Sequence, residues 1–160
     1  MKNNTLITTF FIGIMASIAF ILIQPFFGML TLTSRHASAY VEIGNYNEIV
    51  AITLSWFVHI SVSVFYTFIS LSIYKVNHSI IVSLLQIIVL GWVTTLIATP
   101  ANEWVVKLIT TEQFTPLSNL SALNTHLGPK LWLHFLFFAL VVLGISLTRF
   151  INFPNNQNRT

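Results

Sequence analysis

The chain has 160 residues, of which 55% are hydrophobic, 14% aromatic and only 7% charged. Soluble domains carry roughly 25% charged residues, so this chain cannot clothe a globule in hydrated side chains, and lipid is the solvent that fits. The net charge of +3 rests on seven basic residues spread singly, unlike the clustered Lys and Arg of a nucleic-acid surface, and the absence of cysteine excludes disulfides, Cys-bound metals and thiol catalysis.

A spanning helix needs about 20 apolar residues at roughly 1.5 Å each. Stretches at about 6–32, 49–74, 80–99 and 131–152 qualify. The expected fold is an all-α membrane protein, an antiparallel bundle of four transmembrane helices in a single domain over residues 1–154, followed by a disordered tail, Asn155–Thr160.

The first span contains no Asp, Glu, Lys or Arg. Ala37-Ser38-Ala39 after it matches a small-residue cleavage site, but the apolar run is about twice a signal core and its basic flank is Lys2 alone, so it reads as a membrane helix. Thr9, Gly13, Ser17, Gln24, Gly28 and Thr31 share one stripe, where close helix contact and interhelical hydrogen bonds are expected. Pro25 cannot donate to the ladder and collides with the carbonyl four residues back, which predicts a kink and an unpaired Ile21 carbonyl. The segment 33–48 reads as a loop.

In the second span Ser55, His59, Ser63, Tyr66, Ser70 and Tyr74 recur in steps of three or four. These positions fit within about 100° of helical arc and point inward. His59 lies about ten residues into the span, roughly 15 Å below the surface, a depth at which an ionisable group marks a candidate site. The same spacing allows a neutral imidazole bonded to Ser55, Ser63 or a neighbouring helix as packing glue.

The third span repeats the polar pattern with Ser79, Ser83, Gln86 and Thr94, and Thr99-Pro100 closes it. Within 100–130, Trp104, Val105, Leu108 and Ile109 have helical spacing, which predicts a short interfacial helix on the outer leaflet. Pro116 and Gly128-Pro129 punctuate the chain before the last span, which holds His134 near its start and Arg149 near its end.

Lys2, Lys75, Arg149 and Arg159 fall on one side, against Arg35, Lys107 and Lys130 with all four acids on the other. The more basic side is cytoplasmic by the positive-inside rule, giving an inner-membrane protein with both termini in the cytoplasm.

Gln24, Ser55, His59, Ser63, Tyr66, Thr94, Asn102, Glu103 and His134 form the candidate pocket, open to the outside. His36, His59, His126 and His134 are candidate metal ligands, since imidazole with carboxylate suits zinc, copper or iron, although no metal-motif spacing is present. A bis-histidine haem would need His59 and His134 at one depth, whereas their positions differ by about 10 Å along the bundle. No Gly-x-Ser-x-Gly and no His-Glu-x-x-His occurs, and the spans hold no carboxylate, which leaves hydrolase chemistry unsupported.

Gly13-x-x-Ala16, Pro25, Arg35, His59-x-x-x-Ser63-x-x-Tyr66, Thr99-Pro100, Thr115-Pro116, His126 and Trp132 together resemble the YagU-type family of small bacterial inner-membrane proteins over most of residues 12–150. That family carries an acidic residue near the outer end of its first helix, where this chain has Gln24 and Pro25, and another before the histidine of the last span, which is absent here. The resemblance implies a helical inner-membrane protein with a role linked to acid tolerance.

The expected function is a non-enzymatic membrane subunit or binding protein with a pocket around His59. The alternatives are a haem- or metal-binding redox subunit using His59 and His134, or a proton or small-solute pathway along the second span. No cofactor is firmly implied. The expected partners are the bilayer and either further copies of the chain or a larger membrane complex, since four helices enclose little more than a cleft.

Overall fold

The computed structural model describes residues 3–126 and 128–152, with side chains from 6 to 148. In chain order these form α1 (Asn3–Ile23), a 3-10 turn (Gln24–Phe27), α2 (Leu32–Gly44), α3 (Glu48–Val76), α4 (Ile80–Thr111), a second 3-10 turn (Leu117–Asn119) and α5 (Pro129–Asn152). Among the described residues there is no strand. Four stretches are long and apolar enough to cross a membrane: Leu6–Phe27, Glu48–Val76, Ile80–Thr111 and Pro129–Thr148. The tail Asn155–Thr160, the flanking Lys2 and Arg159, and the side chain of Arg149 lie outside the described residues.

Pro25 ends the first helix rather than kinking it. After Ile23 the chain tightens into the 3-10 turn, and Gly28, with φ 69°, donates its N–H to the Gln24 and Pro25 carbonyls. The left-handed backbone costs glycine nothing and frees the chain to change direction. Thr31 then caps α2 by accepting from Ser34 N at 3.2 Å. The segment expected as a loop is therefore mostly helix, with Thr33, His36, Ala37 and Tyr40 on its buried face. Gln24 ties the two pieces together: its Oε1 accepts from Leu32 N at 2.7 Å, and the residue is 2% exposed. Gln24→Leu strands that N–H at the start of α2. The expected cost is about 1–2 kcal/mol, read as a lower unfolding midpoint and faster amide exchange confined to α2; unchanged exchange there would show that Gln24 does not hold the start of α2.

α3 begins at Asn47, which accepts from Ile49 N, and carries Glu48 in its first turn and Lys75 in its last, complementing the helix dipole at both ends. Its buried face is the polar stripe: Ala51, Ser55, His59, Ser63, Thr67, Ser70 and Leu71. Tyr66 and Tyr74 stand beside it, partly buried against the core. In α4 the buried positions are Gln86, Gly91 and Thr95. Thr94, one step from Thr95, is half-buried, and Ser79 serves as the N-cap, accepting from Val82 N.

α4 does not stop at Pro100. The helix expected as a separate interfacial piece forms its last turns, continuous to Thr111. A proline inside a helix frees the carbonyl four residues back, here that of Leu96. Asn124 N donates to the Leu96 carbonyl at 2.9 Å, so the following loop folds back and supplies the missing partner. Glu103 fastens the same loop. One of its oxygens accepts from Lys107 Nζ at 2.7 Å, and the other accepts from Ser121 N and Ser121 Oγ.

The four long helices pack in the order α3–α1–α5–α4, and α2 bridges α3 and α4 at one end. The main core joins Ile12, Ala16, Phe20 and Ile21 of α1 to Leu133, Phe137, Phe138, Val141 and Ile145 of α5, with Leu71 of α3. A smaller core under α2 contains Ala37, Tyr40 and Ala51. Tyr46 closes it by donating its hydroxyl to the Ile109 carbonyl at 2.9 Å. At 29 and 32 residues, α3 and α4 are roughly 43 and 48 Å long, against a hydrocarbon layer of about 30 Å. Their α2-side ends, with α2 itself, make a cap above α1 and α5. Large apolar residues such as Phe10, Phe57, Phe65, Leu84 and Leu143 are exposed around the outside, the reverse of a water-soluble surface.

Candidate functional site

α3 and α4 barely touch each other directly, because α1 and α5 sit behind them and α2 separates them at one end. A cavity of about 120 Å³ occupies the gap. Its walls are Val58, His59, Val62, Ser63 and Tyr66 of α3 and Thr94, Ile97, Ala98, Ala101, Asn102 and Val105 of α4; Phe20, His134 and Phe137 form the back. Val62 and Ile97, 44% and 37% exposed, stand on opposite lips of this seam. Towards α2 a second cavity of about 170 Å³ adjoins it, sharing Phe20, Leu32, Ala98, Asn102 and His134 and adding Gln24, Met29, Arg35, Thr99, Lys130 and Leu133.

His59 is placed by α3's four-residue spacing and by α1 against it. Its Nε2 lies 3.2 Å from the Ser17 carbonyl. A carbonyl only accepts, so Nε2 carries the hydrogen and Nδ1 is the acceptor nitrogen of the neutral ring. His134 is placed by a polar relay from α4. Thr95 Oγ1 donates to the Gly91 carbonyl at 2.7 Å and lies 2.8 Å from His134 Nδ1. The hydroxyl has one hydrogen, already given to Gly91, so His134 Nδ1–H donates to it and Nε2 is the acceptor. In the neutral form, each imidazole is thus fixed in one tautomer by a backbone-anchored partner.

Phe20 contacts both rings, with centroids 5.4 Å from His59 and 5.7 Å from His134. Both histidines therefore reach the same residue of α1. A phenyl ring thus packs against both of the imidazoles considered as haem ligands. The four candidate metal ligands are not gathered in one place. His36 is buried beside Tyr40 in α2, His126 is exposed beyond α4, and among the described residues no group of three or more His, Asp or Glu side chains comes together.

Of the other expected pocket residues, Ser63, Tyr66, Thr94 and Asn102 line the seam and Gln24 lines the second cavity. Ser55 does not; it is fully buried, donating to the Ile52 carbonyl at 2.8 Å. Glu103 does not either, being the clasp of the 117–121 loop. Residue types alone did not mark Phe20, Ala98, Arg35 and Lys130. Arg35 and Lys130 stand 95 residues apart in sequence and border one cavity because α2 carries Arg35 to it.

No family model matches the chain, and neither a curated protein nor a solved structure does. The likeness to the YagU-type family rests on the residues quoted above alone.

Proposed function

We propose that the chain is a four-helix membrane bundle that works as a binding protein, admitting a lipid-like guest sideways from the bilayer through the seam between α3 and α4. The single observation that carries this is the seam cavity itself, apolar at its lips and floored by the imidazoles of His59 and His134. The walls suit a hydrocarbon chain, and the acceptor nitrogens of His59 and His134 suit a guest with a hydroxyl hydrogen to give. Bound polar groups in such a place gain strength from the low dielectric around them. The α2 end faces outward in this reading, with both termini in the cytoplasm and the α2-side ends of α3 and α4 at the outer surface.

Ala98 borders both cavities, so Ala98→Phe places a ring in the space a guest would take. Lipid extracted from detergent-purified protein and counted by mass spectrometry should fall at least tenfold in Ala98→Phe, on the order of a 1.4 kcal/mol loss or more, with the unfolding midpoint kept. Equal lipid retention by the two proteins, or a wild type that carries no stoichiometric lipid, would overturn the reading.

A further inference from the structure

We propose that the second cavity is a headgroup site, in which Arg35 and Lys130 grip the phosphate of an anionic bilayer lipid whose acyl chain lies in the seam. This rests on the seam reading above and names the chemistry of its guest. Arg35 and Lys130 both border the cavity, and its lining includes no carboxylate. The ion pair found among the described residues is Lys107–Glu103, at the loop clasp, and among those residues neither Arg35 nor Lys130 forms an ion pair. Arg35 is exposed and Lys130 half-buried, so an anion seated in the cavity would have two cations on its border at the edge of a low-dielectric layer, where charge attraction is strengthened.

The surroundings favour the same occupant. Arg35 lies in the first turn of α2 and Lys130 in that of α5, so both helix dipoles present their positive ends here. Gln24 has its Oε1 committed to Leu32 N, which leaves the amide NH2 as a donor towards the cavity it lines. Asn102 and Thr99 add further donors. A free phosphate would satisfy the mouth and leave the seam empty. The adjacency of the two cavities, which share Leu32, Ala98 and His134 in their linings, instead fits a molecule with a charged head and an apolar tail.

The test uses the full chain in phosphatidylcholine nanodiscs doped with phosphatidylglycerol, with bound lipid read by native mass spectrometry. Wild type should retain phosphatidylglycerol over phosphatidylcholine by at least tenfold. Arg35→Gln combined with Lys130→Gln should retain lipid but lose the preference. Gln24→Glu is the second route, because its carboxylate still accepts from Leu32 N while placing a negative charge beside both cations; it too should lose the preference. An unchanged preference in either variant overturns the headgroup site, and Ala98→Phe separates this from the seam reading, which stands if that variant alone sheds all lipid. Displacement of phosphatidylglycerol by millimolar inorganic phosphate, leaving no lipid bound, would also overturn the proposal, since it would make the site one for the soluble anion.

Discussion

Gly13→Val is expected to separate α1 from α3 and to produce a large loss of stability. A Cβ built on Gly13 comes within 2.8 Å of both the Cα and the Cγ2 of Val64. A side-chain neighbour could turn away, but a backbone atom moves only if its whole helix moves. The strain falls one turn from Ser17, whose carbonyl holds His59, so pushing the helices apart also breaks the bond that fixes the imidazole. Overpacking of this kind costs about 1–3 kcal/mol, and the lost bond to a buried ring adds roughly 1 kcal/mol. Unfolding in mixed micelles, followed by circular dichroism, should show the midpoint falling steeply for Gly13→Val and less for Gly13→Ala. A Gly13→Val protein as stable as wild type would mean that the α1–α3 approach is not close in the bilayer. Lipid offers no hydrophobic drive to hold these helices together, so near contact at small residues has to do it.

That contact was legible in the sequence, and its legibility shows where such reading ends. Gly13 and Ser17 sit one turn apart on α1, and Ser55, His59 and Ser63 recur every fourth residue on α3; in a lipid-facing helix, small and polar residues stand out against Leu, Ile and Phe. The four long helices followed from the same contrast. α2 was missed because it lacks that contrast: thirteen residues with Arg35, His36 and Glu42 look like a loop beside membrane spans. Its signals were nonetheless present, in Thr31 at the cap and in Thr33, His36, Ala37 and Tyr40 at helical spacing.

Pro100 misled for a local reason. Proline stops a helix when the carbonyl it frees has no other partner, and here Asn124, distant in sequence, provides one. The site divides along the same line. His59 and His134 are visible as ionisable groups in apolar runs, whereas Phe20, which touches both, is chemically like the thirteen other phenylalanines, and only packing singles it out. The pairing of Arg35 with Lys130 depended on a helix read as loop, so no inspection of either residue alone could join them.

α2 also gives the chain a predicted acid sensitivity, centred on His36. The residue is 5% exposed, and neither ring nitrogen has a hydrogen-bond partner. Burial, then the neighbouring Arg35 charge, then His59, hold its pKa down from 6.5 to about 4. Tyr40, whose ring centroid is 6.0 Å away, offers no countercharge, since burial pushes its phenol up to about 12. In the unfolded chain His36 takes up a proton near pH 6.5, while in the folded chain it waits until about pH 4. The unfolded state therefore binds more protons between those values, and stability falls as pH drops through that window. The loss approaches roughly 1.4 kcal/mol per pH unit inside it, or about 3 kcal/mol in all.

Above pH 6.5 the term is constant, and below about pH 4 it has been spent. His36→Leu removes the titration and replaces an unpartnered polar ring by an apolar side chain, so stability at pH 7.5 should hold or rise. Comparing unfolding midpoints of the two proteins from pH 7.5 to 4.5 cancels every other titrating group they share. The curves should diverge in favour of His36→Leu as pH falls below 6.5. Parallel curves would show that the imidazole of residue 36 already meets water or a countercharge in the folded protein, and that α2 is not sealed against the ends of α3 and α4 as its packing indicates.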